Sequence, residues 1–429
     1  MKHRTLLCWS LAAILCLLTG GVASAKDIKT LSQFPMSGPV GSLPEFGMGF
    51  IDGTRYIKDE LKGINGKPIT FFLEDFRYDP TVEVANFNRY AAEHPKNELL
   101  MATGYITGGL KPLIEKVNVE EKIPWLDGSY STEIFGAEGG GPSKYPYYYS
   151  LGATYGDQIK VLMKWIKENH KGTGRARVGF VYSPTAWGRD GTPEGIAYAK
   201  KLGLDVVAEI EYPYTATEAT TQATTLRKAR AEYILYHGFS GAASYTAIFF
   251  KTIRKYLPDA TIMGTHYTTG RFPMLIFPDD YNGYIGAACR PLMDAVPRTD
   301  TPMTNTMVKM AHDFAKKYRP DDYAPGGKIK DIGLYSEGLT YALILHEALS
   351  RADKAGKLTR AGVKQVLDTM VWDFHGLFDG KTFSYQSHTI PMVRIFRAES
   401  KTVEVGGKRV PKGTLHPLTD WMDTDKMKW

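Results

Sequence analysis

The sequence predicts an α/β protein of two similar lobes, each built on a parallel sheet, and three observations carry this expectation. Short β-rich runs alternate with helix-length amphipathic segments, which is the mark of parallel α/β organisation. The alternation completes one winding and restarts near residue 178. A chain of 429 residues exceeds what one ordinary core organises, so two domains are expected. With 43% hydrophobic and 23% charged residues, the composition is that of a globular chain, neither disordered nor fibrous.

Along the chain the leader comes first. Lys2 and Arg4 precede an apolar stretch over residues 6–18, Gly20 and Gly21 follow, and Ala23-Ser24-Ala25 closes the segment. A charged start, a short apolar run and small residues at a cleavage point are the parts of a secretory signal. The run is too short to span a bilayer. Residues 1–25 are therefore expected to be a cleaved signal peptide. Cys8 and Cys16 lie inside it, and neither follows the small residues that a lipid-attachment site requires, so a released protein is expected. Cys289 is then the one cysteine left, which excludes a disulfide within the mature chain. No later apolar stretch has the length of a transmembrane helix. The formal net charge is +7, but the basic residues are scattered, so they are assigned to solvated faces and not to a nucleic-acid groove.

The first winding reads as strands over 28–34, 69–74, 99–103 and 123–126, with helices between them. Phe50, Thr54, Ile57 and Leu61 share one helical face, Val84, Phe87 and Ala91 a second, and Leu110, Leu113, Ile114 and Val117 a third. Asp79-Pro80 suits the start of the second helix, since Asp caps free amides and Pro tolerates the first turn. The second winding has strands over 178–182, 206–211, 233–236, 262–264 and 284–288. Helices near 303–318, 332–352 and 359–370 and a last strand over 392–397 follow. These have to pack on one lobe or the other, so the chain is expected to cross between lobes more than once. The polar tail over 399–429 is expected to wrap over the surface.

Ligands of open parallel sheets bind beyond the carboxyl ends of the strands, where loops and helix N-termini converge. This selects loops 35–47, 104–112 and 127–133 in the first lobe and 183–193, 237–241 and 265–270 in the second. The loop Gly104-Tyr105-Ile106-Thr107-Gly108-Gly109 runs into a helix whose free amides and positive dipole end suit a carboxylate, with the Thr107 hydroxyl as a further donor. It reads equally well as a glycine-permitted turn with a Thr cap, and the sequence leaves both readings open. Gly128-Ser129-Tyr130-Ser131 offers more hydroxyls after the next strand. Phe46, Tyr130, Trp187 and Phe239 supply flat apolar surface for an aliphatic or aromatic body, although a single aromatic is more often core than wall. In the second lobe His237, His266 and Tyr267 stand at strand ends and complete the candidate ligand-binding set.

Enzyme chemistry is not supported. The chain has no G-x-S-x-G elbow, no Walker loop and no paired-His zinc spacing, and residues 104–109 lack the dinucleotide-loop spacing. His237 and His266 follow neighbouring strands, but no carboxylate or Cys ligand stands beside them for a metal or acid/base site. The expectation is a binding protein without cofactor or metal.

The order of these loops resembles a known family. Phe34-Pro35-Met36-Ser37-Gly38-Pro39 comes first, followed by Glu74-Asp75 with Asp79-Pro80 and Ala85, and then by Lys122-Ile123-Pro124 leading into Gly128-Ser129. Later come Trp187-Gly188-Arg189-Asp190-Gly191 and the run from Tyr212-Pro213 through Leu226 to Tyr233. Together they are similar to the leucine/isoleucine/valine-binding family of periplasmic proteins, over residues 27–397. The resemblance implies a type I binding fold, two Rossmann-like lobes joined by three crossover strands. It further implies a periplasmic receptor that hands a small organic ligand to the permease and ATPase of an ABC transporter. A monomer is expected. The crossovers would fall near 152–154, 290–291 and 390–391. That gives a first lobe of 26–153 plus 291–389, a second of 154–290 plus 390–405, and a C-terminal extension of 406–429. Family members hold the ligand carboxylate at the position of Thr107 and at the 128–131 loop, and line the side-chain pocket with aromatics at the positions of Phe46 and Trp187.

One departure bears on the ligand. Amino-acid-binding members place an acidic residue after the strand that ends here at Gly264, where it pairs with the ligand ammonium, and this chain has His266. A second acid, common near the first crossover, appears as Thr154 or Tyr155. An ammonium buried against a histidine lacks its charge partner. Aliphatic or aromatic carboxylates and small amides are therefore the expected ligands, unless Asp127 or Asp190 supplies a displaced acid. A ligand-sensing receptor of the same fold, acting in signalling, is the alternative.

Overall fold

The computed structural model describes residues 27–38, 44–94, 98–136, 140–239, 243–290 and 306–429. The signal peptide, Pro39, Pro291 and the start of the helix near residue 303 lie outside the described residues.

The first lobe is a five-stranded parallel sheet, β1 (Ile28–Phe34), β2 (Ile69–Asp75), β3 (Leu99–Gly104), β4 (Trp125–Asp127) and β5 (Tyr148–Ser150), in the order β2-β1-β3-β4-β5. Every residue of β3 is buried, as a strand covered by helices on both faces requires. Between the strands run α1 (Pro44–Asp59), α2 (Pro80–Glu93) and α3 (Thr107–Glu115), which continues as a π-helical turn over Lys116–Glu121. Asp79 caps α2 by accepting from the Thr81 N–H, with Pro80 in the first turn, as the sequence indicates.

The chain then crosses into the second lobe, where α4 (Tyr155–Asn169) packs against a second sheet. Its parallel part is β6 (Arg177–Tyr182), β7 (Asp205–Glu211), β8 (Tyr233–His237), β9 (Thr261–Gly264) and β10 (Ile285–Ala288), in the order β10-β9-β8-β6-β7. The intervening helices include α5 (Thr192–Lys201), α6 (Thr220–Lys228) and α7 (Ala243–Tyr256). After β10 the chain returns to the first lobe as α8 (Thr306–Tyr318), α9 (Ile332–Lys354) and α10 (Arg360–Thr369). A small ribbon, β11 (Val371–Trp372) with β12 (Phe383–Ser384), precedes the last passage to the second sheet. The architecture is two α/β lobes with parallel sheets. Among the described residues, no helix is long and apolar enough to cross a membrane.

Helix α9 lies along α1 at very short range because glycines line the contact. A Cβ on Gly338 would fall 1.8 Å from the Phe46 carbonyl oxygen, and one on Gly49 would fall 1.9 Å from that of Tyr335. These two helices bury the long apolar face that the sequence places over 332–352.

The structure departs from the sequence reading in four places. Strand β5 has no counterpart in it, β4 begins at Trp125 and not at residue 123, and Leu61 lies beyond the end of α1. The last strand, β13 (Met392–Val405), runs well past residue 397, and the polar tail pairs back on it as β14 (Lys408–Pro417). Gly406 and Gly407 make the turn, both at positive φ (56° and 74°), which glycine adopts without steric cost. The outer half of this ribbon is solvated, so its sequence is polar and reads as loop. Beyond β14, β15 (Met422–Asp423) pairs with β13, and Trp421 packs edge-on against Phe378.

Candidate functional site

Loops from the carboxyl ends of both sheets meet between the lobes. The Tyr267 hydroxyl, from beyond β9, donates to the Gly128 carbonyl beyond β4 at 2.6 Å. The Tyr267 ring stacks on Tyr130 with centroids 5.3 Å apart and planes 4° from parallel. Gly128 has to be glycine, because a Cβ there would lie 2.4 Å from the Tyr341 hydroxyl and 2.5 Å from the Tyr105 ring. Two cavities open on either side of this contact, and both are walled by Phe239 and Tyr267.

The first cavity is walled further by Tyr78, Tyr105, Thr107, Tyr155 and Trp187. Thr107 is the first residue of α3, and the residue before it, Ile106, offers no side-chain cap; the backbone N–H groups of Tyr105 and Ile106 go instead to the buried carboxyl of Glu83. The Thr107 hydroxyl does not cap the helix either, since it shares a 2.6 Å hydrogen bond with Ser129 Oγ. Both hydroxyls also act on the Tyr155 phenol, whose pKa burial pushes well up, so it stays a neutral donor. The hydroxyls of Thr107 and Tyr155 form an end suited to an acceptor such as a carboxylate.

Beneath this end lie two buried acids. Asp127 accepts from the Ser129 N–H at 2.6 Å and from the Trp125 indole at 2.7 Å. Glu83, from α2, accepts from the Tyr105 N–H at 3.0 Å. A Cβ on Gly104 would touch both carboxyls, at 2.6 Å for Glu83 Oε1 and 2.9 Å for Asp127 Oδ2. Burial pushes Asp127 up to about 7, and burial with the Asp127 charge pushes Glu83 well above the carboxylate range. Unfolded, both titrate near about 4. Their raised native values mean that the contribution of these two groups to stability is fully present below about pH 4 and declines as pH rises through about 7. Glu83→Gln keeps an acceptor for the Tyr105 N–H and carries no charge. It is expected to flatten that decline, read as the urea midpoint against pH between about 5 and 8. A slope as steep as that of the unmodified protein would place the titration elsewhere.

Trp187 sits in a short helical turn, Ala186–Arg189, capped by Thr185. Its indole N–H donates to the Tyr214 hydroxyl and its carbonyl accepts from His237 Nε2 at 3.0 Å. His237 Nδ1 meets the Thr265 hydroxyl at 2.8 Å, so the ring carries its proton on Nε2, and burial holds its pKa down at about 3. His237 lines neither cavity. It is a neutral strut behind Trp187.

Phe46 also lies behind the wall, fully buried, with its ring edge-on to Tyr105 (4.5 Å) and Tyr341 (4.9 Å). Ser131 faces away from the cavities. Its hydroxyl donates to Asp190 and accepts from the Ile134 N–H at 3.2 Å, and Asp190 accepts from the Thr132 N–H at 2.6 Å. Since Asp190 follows β6 and Ser131 follows β4, this is a contact between lobes. Burial pushes Asp190 up to about 6. Neither Asp127 nor Asp190 reaches a cavity wall, so neither supplies the displaced acid that the sequence leaves open.

The second cavity is bounded by His266, Arg290, Asp331, Leu334 and Glu337 among others. The His266 N–H donates to Gln158 Oε1 at 2.9 Å, and its Nε2 accepts from Arg290. Burial and the neighbouring guanidinium hold His266 far below its ordinary pKa, so it is neutral. Glu337, on α9, takes the Tyr130 hydroxyl at 2.9 Å and lies 2.6 Å from Arg290 Nη2. Asp331 caps α9 through the Gly333 and Leu334 amides.

The structure thus brings Tyr105, Thr107, Trp187, Phe239 and Tyr267 together around one cavity and His266 with Phe239 and Tyr267 around the other. Ser129, Tyr130 and Gly128 hold these groups from behind. Sequence reasoning passes over Tyr78, Tyr155, Arg290 and Glu337. Glu337 carried a signal, being the sole charged residue in the apolar stretch 332–345. Among the described residues, no group of three or more His, Cys, Asp and Glu is placed to hold a metal ion.

Residues 33–402 match the protein family described as periplasmic binding protein. Several solved structures share the fold. A branched chain amino acid ABC transporter protein from Thermus thermophilus with bound valine superposes with a TM-score of 0.74 at 20% identity, over 93% of this chain and 97% of that one. A solute binding protein of an ABC transporter from Rhodopseudomonas palustris BisB5, in complex with 3,4-dihydroxy benzoic acid, gives 0.69 at 16% identity, over 94% and 100%. A fatty acid ABC transporter substrate-binding protein from Thermomonospora curvata gives 0.70 at 17% identity, over 94% of each chain. No curated protein gives a significant match.

Proposed function

Because the chain belongs to the periplasmic binding protein family, we propose that it is the solute receptor of an ABC transporter of the branched-chain amino acid type. Its ligand in this reading is a small carboxylate- or amide-bearing molecule with an aliphatic or aromatic body, not an α-amino acid. Removal of residues 1–25 delivers the protein to the periplasm, and it acts there as a monomer that meets a permease and an ATPase. The lobes are residues 26–153 plus 291–389 and 154–290 plus 390–405, with 406–429 as the C-terminal extension.

The observation that carries the ligand class is the absence of a spare acid. Of the carboxylates that reach the two cavities among the described residues, Glu337 faces Arg290 and Asp331 caps α9. His266 is neutral and beside a cation. An ammonium brought here would be desolvated without a counter-charge. A carboxylate, in contrast, finds the hydroxyls of Thr107 and Tyr155 at the first cavity, with Tyr105, Trp187, Phe239 and Tyr267 around its body. Bound 3,4-dihydroxy benzoic acid in the Rhodopseudomonas palustris protein supports such a ligand on this fold. Closure of the lobes brings Tyr267 to Gly128 and Asp190 to Ser131 and Thr132, which excludes water and strengthens the polar contacts to the ligand.

Calorimetry with benzoate, hydroxybenzoates, aliphatic acids, leucine and the keto acid of leucine tests the reading. At least one acid is expected to bind at about 1 μM or tighter and leucine not at all. Thr107→Ala should weaken the acid by about 1 to 3 kcal/mol, the range for a lost hydrogen bond to a charged group. Tight binding of leucine with none of its keto acid would overturn the reading.

A further inference from the structure

Arg290 makes uneven use of its guanidinium. It follows the end of β10, is 4% exposed, and directs Nη2 at three acceptors. The Tyr130 hydroxyl accepts at 2.9 Å, His266 Nε2 accepts beside it, and Glu337 Oε2 lies 2.6 Å away. Tyr130 in turn donates to Glu337 Oε1, which links the groups on this edge, while Glu337 Oε2 has the charge pairing with Arg290 but no hydrogen bond of its own among the described residues. Nη1, with two N–H bonds of its own, has no partner among the described residues. A guanidinium is a flat fork whose separate edges can hold separate carboxylates. One edge here is in use and the other is idle, buried in the wall of the second cavity.

The surroundings decide what the idle edge takes. The guanidinium has donors and no acceptor, so it rejects an ammonium. His266 is neutral, Asp331 is engaged by the α9 amides, and Glu337 is served by Tyr130 and by Tyr267 at 3.4 Å. Phe239 and Tyr267 wall both cavities, so the two lie side by side along these rings.

Building on the carboxylate reading above, we propose that the second cavity is an acid subsite in which Arg290 Nη1 binds a second carboxylate, so that the ligand is a dicarboxylate held at both ends. The Thr107 end holds one acid group and the Arg290 end the other. Glu337 keeps the guanidinium in place from its opposite edge.

The experiment is calorimetry on the full chain with matched pairs of acids: benzoate against benzene-1,4-dicarboxylate, and straight-chain monoacids against diacids of the same length. A diacid is expected to bind at least about tenfold more tightly than its monoacid. Removing Arg290 alone strands Glu337, so the variant to use is the doubly neutral R290Q/E337Q, checked for a cooperative melt. It should lose the diacid preference, read as the ratio of diacid to monoacid affinity within the same variant so that any general effect on closure cancels. Equal binding of monoacids and diacids, or a preference that survives in R290Q/E337Q, overturns this inference and leaves the receptor reading standing. Binding of leucine and of no acid overturns both.

Discussion

Glu337→Ala should destabilise the folded protein by about 3 to 5 kcal/mol, the cost of leaving a buried charge without its partner. Glu337 and Arg290 are both almost wholly buried, with side-chain exposures of 1% and 5%. Burial pushes the Glu337 carboxyl up while Arg290 pulls it back, and burial opposes the Arg290 charge while Glu337 overrides it. Each ion is tolerated because of the other. Truncating Glu337 leaves the almost wholly buried guanidinium with the neutral Tyr130 and His266 alone. Neutralising both ends removes the stranded charge, so R290Q/E337Q is expected to be more stable than Glu337→Ala. Urea denaturation of the three proteins checks the order. A single variant no less stable than the double one would mean that the two charges do not depend on each other. The pair also spans the lobes, since Arg290 follows a strand of the second sheet and Glu337 sits on a helix of the first lobe. Its loss should therefore be felt in closure as well as in unfolding.

The inner strands of each sheet were legible because burial on both faces makes them nearly continuous apolar runs. Residues 99–104 and 177–182 are of this kind. What escaped was set by context. Strand β5 is three residues of a tyrosine-rich stretch, and β14 is polar because half of its ribbon is solvated. The rule that ligands sit at strand ends led to the loops that do converge, but it could not say which way a side chain turns within them. His237 and Phe46 occupy the right loops and face backwards, into Trp187 and Tyr105. The Ser131 hydroxyl is claimed by an aspartate 59 residues later in the chain. Arg290 and Glu337 meet because the chain crosses between the lobes in the interval, and no local pattern carries that information. Only the oddity of an acid in an apolar helix face pointed to one of them.

Gly338→Val is expected to destabilise the protein by about 3 kcal/mol or more, by forcing apart the two helices that frame the site from the first lobe. The added Cβ would fall 1.8 Å from the Phe46 carbonyl oxygen and 2.8 Å from the Phe50 nitrogen. These are backbone atoms, so no rotamer change relieves the overlap, and α1 and α9 have to separate. Separation would reach the ligand site by two routes. Helix α1 carries Phe46, which backs Tyr105 in the first cavity, and α9 carries Glu337, which holds Arg290 in the second. Gly174→Ala provides the control, because a Cβ there meets nothing within 4 Å, and its effect should lie within about 0.5 kcal/mol. Thermal melts of the two variants, followed by calorimetry with whichever acid the unmodified protein binds, separate loss of fold from loss of site. A Gly338→Val protein that melts with the unmodified one would show that the two helices are not in such close contact. The positions of Tyr105 and Arg290 would then depend on something other than this helix pair.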